Sequence, residues 1–419
     1  MATSAARNQK YHTTDAGYFR SAEHALQHAL EKNQITDQDA ALIKKFTNRL
    51  KSEISAGRYA KITGLLITVR KFCPCQFSEL DEDGLFEVLG AIRYAVKTEG
   101  KHQGEPYTDN AKTDFLKILK RFYQFLAENG LTRISEKVIN QIKPGRYSLL
   151  TKSECDVLEP EEIQKLLDVI KNPKYKCYFS LLYETGARSI ELANLKWGDI
   201  EFREWGAVVA LTDFKANVPQ KRHVPVIAYR QYLAEWQARY TAGEPTADKY
   251  VFVSPDTGEP IQYRAVTKAL NRYAKAAGIT KKISLHRIRH TRITHALQQG
   301  MTETIAKRAF WGNLSTNMIK TYAHLTDKDV EDSFLEMAGV ERPDEAETQK
   351  KLEPVQCPIC HTVNPPGSNF CSVCGQALNE KSAKSAAEAE TGITEILGKM
   401  SDAEKFKFLQ LIQLQGNNK

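Results

Sequence analysis

A chain of 419 residues exceeds what one ordinary hydrophobic core organises, so two or more domains are expected, with 42% hydrophobic residues to build them. The formal charge of +8 favours a polyanionic partner, because clustered Lys and Arg release counterions from phosphates, although many basic proteins bind no nucleic acid. No stretch approaches the roughly 18 apolar residues of a membrane span, and the opening MATSAARNQKYHTT lacks the apolar core of a signal peptide, so a soluble, cytoplasmic protein with no membrane partner is expected.

Residues 1–36 form an N-terminal segment without an assigned element. From Asp37 to Asn129 apolar residues recur three and four apart, in DQDAALIKKFTNRLKSEISAG, ITGLLITVRKFC, LDEDGLFEVLGAIRYAV and DNAKTDFLKILKRFYQFLAENG, which predicts four main helices with Gly57, Gly100 and Gly130 near their ends. Residues 37–143 thus read as a small helical domain. Its Lys112, Lys117, Lys120 and Arg121 suit a DNA clamp or simply a solvated helix surface. Pro144 and Gly145 mark a linker over 144–157.

A second domain is expected over 158–340. Pro160 suits the first position of a helix and Glu161 and Glu162 favour its positive end. Helices continue through Leu195. Alternation in DIEFREWGAVVALTD and KRHVPV then predicts two or three short strands, with turns at Gly206 and Pro219, before helix returns from Arg264. The fold class read from this pattern is mainly α with a small antiparallel β-sheet, an α+β domain behind a helical one.

Residues 341–354 are an acidic, polar tether. In CPICHTVNPPGSNFCSVCG, the pairs Cys357/Cys360 and Cys371/Cys374 stand ten residues apart, the spacing of one tetrahedral zinc site with four cysteine ligands, while Cys73, Cys75, Cys155 and Cys177 are scattered. Four thiolates leave no open coordination position, so the zinc of this small ribbon, residues 355–378, is structural. Pro365, Pro366 and Gly367 supply the turn between its halves. Residues 379–419 hold a second polar linker and a last amphipathic segment, whose stripe of Ile393, Ile396, Leu397 and Met400, followed by Phe406, Leu409 and Ile412, packs on its own chain or on a partner; Ser401 and Glu404 form a capping box that opens its final helix.

Cleaving a phosphodiester without water requires a nucleophilic hydroxyl, cationic donors on the nonbridging oxygens and an acid for the departing 5′ oxygen. Arginine suits the donor role, because its planar fork grips two oxygens and stays charged. The second domain offers Arg188 in ETGARSIELANL, His286 and Arg289 in LHRIRHTRITHAL, and Tyr322 in MIKTYAHL. In these segments the chain resembles the tyrosine recombinase, or phage integrase, family, in order and wording from Leu158 to Val340.

The resemblance implies that Arg188 and Arg289 hold the scissile phosphate, with Glu191 supporting the helix of the first. It makes His286 a phosphate donor or manager of the tyrosine proton, His290 a structural neighbour, and Tyr322 the nucleophile that forms a 3′-phosphotyrosine. LTDFKANVPQKRHVPV resembles the family's β-hairpin and places Lys215 as the general acid, with Lys221 the alternative. Nine residues before Tyr322, where the family carries His or Trp, stands Asn313, whose amide still donates one hydrogen bond; a local shift would instead bring in Trp311. The implied chemistry requires no cofactor, metal or ATP. The implied partners are double-stranded DNA at recombination sites and three further copies of the chain in a homotetramer. An integrase of a mobile element or a chromosome-dimer resolving enzyme leads; a topoisomerase-like relative and a DNA-binding descendant are the alternatives. The union of such a core with a zinc ribbon resembles archaeal recombinases.

Overall fold

The structure, a computed structural model, describes residues 11, 13–100, 102–147, 157–213, 220–254, 257–321, 334, 337–338, 353–401 and 404–407. The chain divides into two compact units, Gln9–Lys152 and, with Met1–Asn8, Ser153–Lys419.

The first unit is helical throughout its described elements: α1 (Asp15–Glu31), α2 (Asp37–Leu50), α3 (Ala56–Arg70), α4 (Glu82–Arg93), α5 (Asp109–Glu128) and α6 (Glu136–Gln141). Short polar side chains start these helices by accepting otherwise unpaired N–H groups, as Thr36 does from Asp39 and Asp81 does from Gly84. Phe46, Phe77 and Phe122 form the aromatic centre, with Phe77 and Phe122 5.0 Å apart edge to face. Asp39 is fully buried and stays satisfied there, accepting from Arg70 Nε at 2.7 Å and from the Phe77 N–H at 3.0 Å.

Four predicted helices correspond to α2–α5, but two details differ. Helix α1 lies in the segment left unassigned, where it packs on α3 through Phe19 and Tyr59, 5.1 Å apart. Gly57 ends no helix; α2 stops at Leu50, and Gly57 sits in the first turn of α3, where a β-carbon would come 3.5 Å from the Tyr18 ring. Lys112 donates to the Arg93 carbonyl at the end of α4, and Lys120 to the Asn140 and Ile142 carbonyls around the end of α6. Lys117 lies over the Tyr147 ring and Arg121 pairs with Glu53. All four cations therefore have partners within the unit.

The second unit contains α7 (Pro160–Asp168), α8 (Pro173–Thr185), α9 (Ser189–Ala193), then β1 (Ile200–Arg203), β2 (Gly206–Asp213) and β3 (Gln220–Val226). The strands form one antiparallel sheet in the order β1-β2-β3, with Leu211 opposite Arg222 and Val208 opposite Pro225. Pro225 is tolerated because β3 is an edge strand. Helices α10 (Arg230–Ala238), α11 (Tyr263–Ala276), α12 (Leu285–Gln298) and α13 (Glu303–Trp311) follow, and α8 packs against both α10 and α12. Beyond them lie the short strands β4 (Val355–Gln356) and β5 (Val363–Asn364) and the helix α14 (Glu380–Lys399). The fold is mainly helical with a small antiparallel sheet, as the periodicity predicts. Among the described residues no helix is long and apolar enough to cross a membrane.

Candidate active site

Helix α8 ends at Gly186, whose φ of 55° is left-handed. A side chain there is doubly disfavoured, since a β-carbon would also stand 2.7 Å from the Phe310 ring. Thr185 Oγ1 donates to the Leu181 carbonyl and accepts from the Ala187 N–H, tightening the turn that delivers Arg188 to the N-cap of α9. Arg188 Nη1 donates to Glu191 Oε1 at 3.0 Å and to Asp213 Oδ2 at 2.8 Å. Its side chain keeps 19% exposure, within reach of a ligand arriving from solvent.

Glu191 is 1% exposed. Besides Arg188 Nη1 it accepts the Arg188 backbone N–H at 2.6 Å, Arg222 Nη1 at 2.9 Å and Arg222 Nη2 at 2.7 Å. Burial works against its charge, but the bonds and charge of Arg222, with the charges of Arg289 and Arg188, outweigh burial and hold the carboxyl below its ordinary range. Arg222 itself is buried, and its Nε donates to the Ala309 carbonyl at 2.8 Å.

Ser284 caps α12 by accepting the Arg287 N–H. Arg289, 2% exposed, donates through Nη1 to the Gly186 carbonyl and through Nη2 to the Phe310 carbonyl at 2.8 Å, with its guanidinium 5.5 Å from the Trp311 ring centre. Two arginines from distant segments thus meet at one turn. His286 lies three residues before Arg289, hence on the same side of α12, and is exposed. His290 is buried beside Thr294.

Trp311 ends α13 and is buried under Arg289, while Asn313 beyond it is exposed. Asn313 Oδ1 accepts from both the N–H and the hydroxyl of Ser315 at 2.8 Å. With its oxygen end bonded to Ser315, the NH2 is the end of this amide left for a ligand. A short 3-10 turn, Met318–Thr321, leads to Tyr322; Tyr322 and Lys215 lie outside the described residues. Lys221 donates to Asp199 Oδ1 at 2.8 Å, on the opposite face of β3 from its neighbour Arg222.

Two participants were missed in the sequence, Arg222 and Asp213. The alternation of KRHVPV carried a signal for the first, since Arg222 is in phase with the buried Val224 and Val226.

The four cysteine sulfurs Cys357, Cys360, Cys371 and Cys374 lie within 4.8 Å of one another. Zinc–sulfur bonds near 2.3 Å in a tetrahedron separate sulfurs by about 3.8 Å, so the cluster fits one ion. The two halves repeat a single turn. Cys357 N–H donates to the Thr362 carbonyl and the His361 N–H to the Cys357 carbonyl; Cys371, Gln376 and Gly375 do the same. His361 and Gly375 both take positive φ, 58° and 75°. Between the halves, the Ser368 N–H reaches the Pro365 carbonyl across Pro366 and Gly367, a type II turn.

Residues 156–329 match the model of the phage integrase family. A tyrosine recombinase of Pseudothermotoga lettingae is 32% identical over 219 residues, 52% of this chain and 71% of that protein. Transposase A of transposon Tn554 from Staphylococcus aureus is 25% identical over 246 residues, 54% of this chain and 67% of its own length. In fold, the chain resembles the XerH site-specific recombinase solved with its difH substrate in a post-cleavage complex, with a TM-score of 0.51 and 17% identity across 77% of this chain and 97% of that one.

Proposed function

The chain belongs to the phage integrase family of tyrosine recombinases, and from that premise we propose that it cuts and rejoins double-stranded DNA at specific sites through a 3′-phosphotyrosine at Tyr322. The observation that carries this reading is the convergence of Arg188 and Arg289: the second bonds the carbonyl of Gly186, two residues before the first. Two fixed cations at one turn suit a phosphodiester, whose nonbridging oxygens gain charge stabilisation as phosphorus becomes pentacoordinate.

In the proposed cycle Arg188 leaves Asp213 for a nonbridging oxygen, Arg289 adds its charge from beneath, and His286 donates at the exposed end of the same helix. Asn313 donates through its NH2. The Tyr322 hydroxyl attacks phosphorus and releases its proton to water, the bond to the 5′ oxygen breaks, and Lys215 passes that oxygen a proton. The engagement of Lys221 with Asp199 away from Arg222 supports Lys215 over Lys221. Attack by another 5′ hydroxyl reverses the step and releases Tyr322. Residues 37–143 and residues 158–340 would each bind the duplex, four copies at a time. Likeness to a transposon's transposase supports action on a mobile element. Cys357, Cys360, Cys371 and Cys374 would bind one zinc ion that holds the ribbon's two turns together.

A nicked duplex that traps cleavage, isolated from a random-sequence pool by covalent retention on the wild-type chain, tests the reading. Wild type should yield an adduct stable to denaturation, and Tyr322→Phe should bind the duplex without one. Absence of any adduct with wild type would sink the proposal.

A further inference from the structure

Arg222 lies outside the residues assigned to the chemistry, yet it is buried and makes three directed bonds, two to Glu191 and one to the Ala309 carbonyl. Stability does not explain such an arrangement, because desolvating an ion pair roughly cancels its attraction and an apolar pair would fill the same space. Its geometry does. A carboxylate offers about four lone-pair sites, and those of Glu191 receive Arg188 N, Arg188 Nη1, Arg222 Nη1 and Arg222 Nη2.

With Arg222 removed, two of those sites empty and the carboxylate is free to turn and chelate Arg188 more completely. Arg188 would then be drawn from the partly exposed position where a phosphate meets it. The bond from Arg222 Nε to Ala309 also ties Glu191 to the end of α13, one residue before the Phe310 carbonyl that Arg289 holds. Both arginines are thereby set against one helix end, and lysine, whose three donors share one nitrogen, cannot span the carboxylate edge and the Ala309 carbonyl as the guanidinium fork does.

We propose that Arg222 is a positioning residue for DNA cleavage, fixing Glu191 so that Arg188 meets the scissile phosphate in register. This rests on the reading of Arg188 as a phosphate ligand, and the test separates the two. Single-turnover cleavage is measured on the nicked duplex described above and on the same duplex with a methylphosphonate at the scissile position, where a methyl group replaces one anionic oxygen and the need for an aligned cation falls. The variants are Arg222→Lys, Arg222→Gln and Arg188→Ala.

Arg222→Lys and Arg222→Gln should bind the duplex as wild type does and cleave the phosphodiester on the order of 100-fold more slowly, the scale of a misplaced reacting group. On the methylphosphonate that deficit should shrink by at least about tenfold, as it should for Arg188→Ala, whose missing charge is then less needed. The ratio of the two rates within one preparation does not depend on how much of a variant is folded. Equal slowing on both substrates, or wild-type cleavage by both Arg222 variants, overturns the proposal. Wild-type cleavage of the phosphodiester by Arg188→Ala overturns the reading on which it stands.

Discussion

Glu191 accepts hydrogen bonds from two arginines and a backbone N–H while only 1% exposed, so the site's positive charge is organised around a buried negative one. Arg188 lies three residues before that carboxylate and two after Gly186, and the glycine is therefore as constrained as the charged groups. An alanine at 186 must take a φ of 55°, at a cost of about 1–2 kcal/mol, and its methyl meets the Phe310 ring. Gly186→Ala should lower the melting temperature and depress cleavage while duplex binding persists; unchanged melting and cleavage would show that the turn tolerates a side chain. The phrase TGARSIEL displayed Arg188 and Glu191 openly in the sequence. Arg222 was less visible, because alternation marks it as inward-facing without saying which carboxylate it meets, and that partner is supplied only when β3 is laid against α9.

Helix α12 carries His286 and Arg289 at its start and is anchored farther along by His295, whose ring lies 2.9 Å from the Tyr183 hydroxyl of α8. Burial, with the charge of Arg292, pushes His295 down to about 4. The unfolded chain, with a histidine near 6.5, binds the proton first as pH falls. Stability is therefore complete above about pH 6.5 and is lost as pH drops toward 4, by about 2–4 kcal/mol for a shift of this size. Chemical denaturation between pH 7 and 4.5 should show that loss, and His295→Gln should flatten it; an equal slope in the variant would assign the loss to other groups. At this scale α2–α5 were legible because large apolar residues repeat along them. Helix α1 was not, since two of its three buried positions are Ala22 and Ala29, with Leu26 between them, and small side chains leave a faint stripe.

Across the molecule, the helical unit Gln9–Lys152 and the unit that follows it each have their own core, and the cysteine turns sit beyond the catalytic segments in sequence. The spacing of the four cysteines was enough to identify the cluster, because each C-x-x-C turn closes on itself and requires little from the rest of the fold. Cys357→Ser should cut bound zinc well below the one ion per chain expected of wild type, as read by elemental analysis, while the covalent cleavage step proceeds; wild-type zinc content in the variant would remove Cys357 from the ligand set. The arginines, by contrast, form a site only after α9, β3, α12 and the end of α13 come together, and all of that assembly serves one attacking oxygen. Digesting the covalent adduct with nuclease and trypsin, then sequencing the nucleotide-bearing peptide by mass spectrometry, locates that oxygen directly. A 3′-phosphoryl nucleotide is expected on Tyr322; the same modification on any other residue would rule out Tyr322 as the nucleophile.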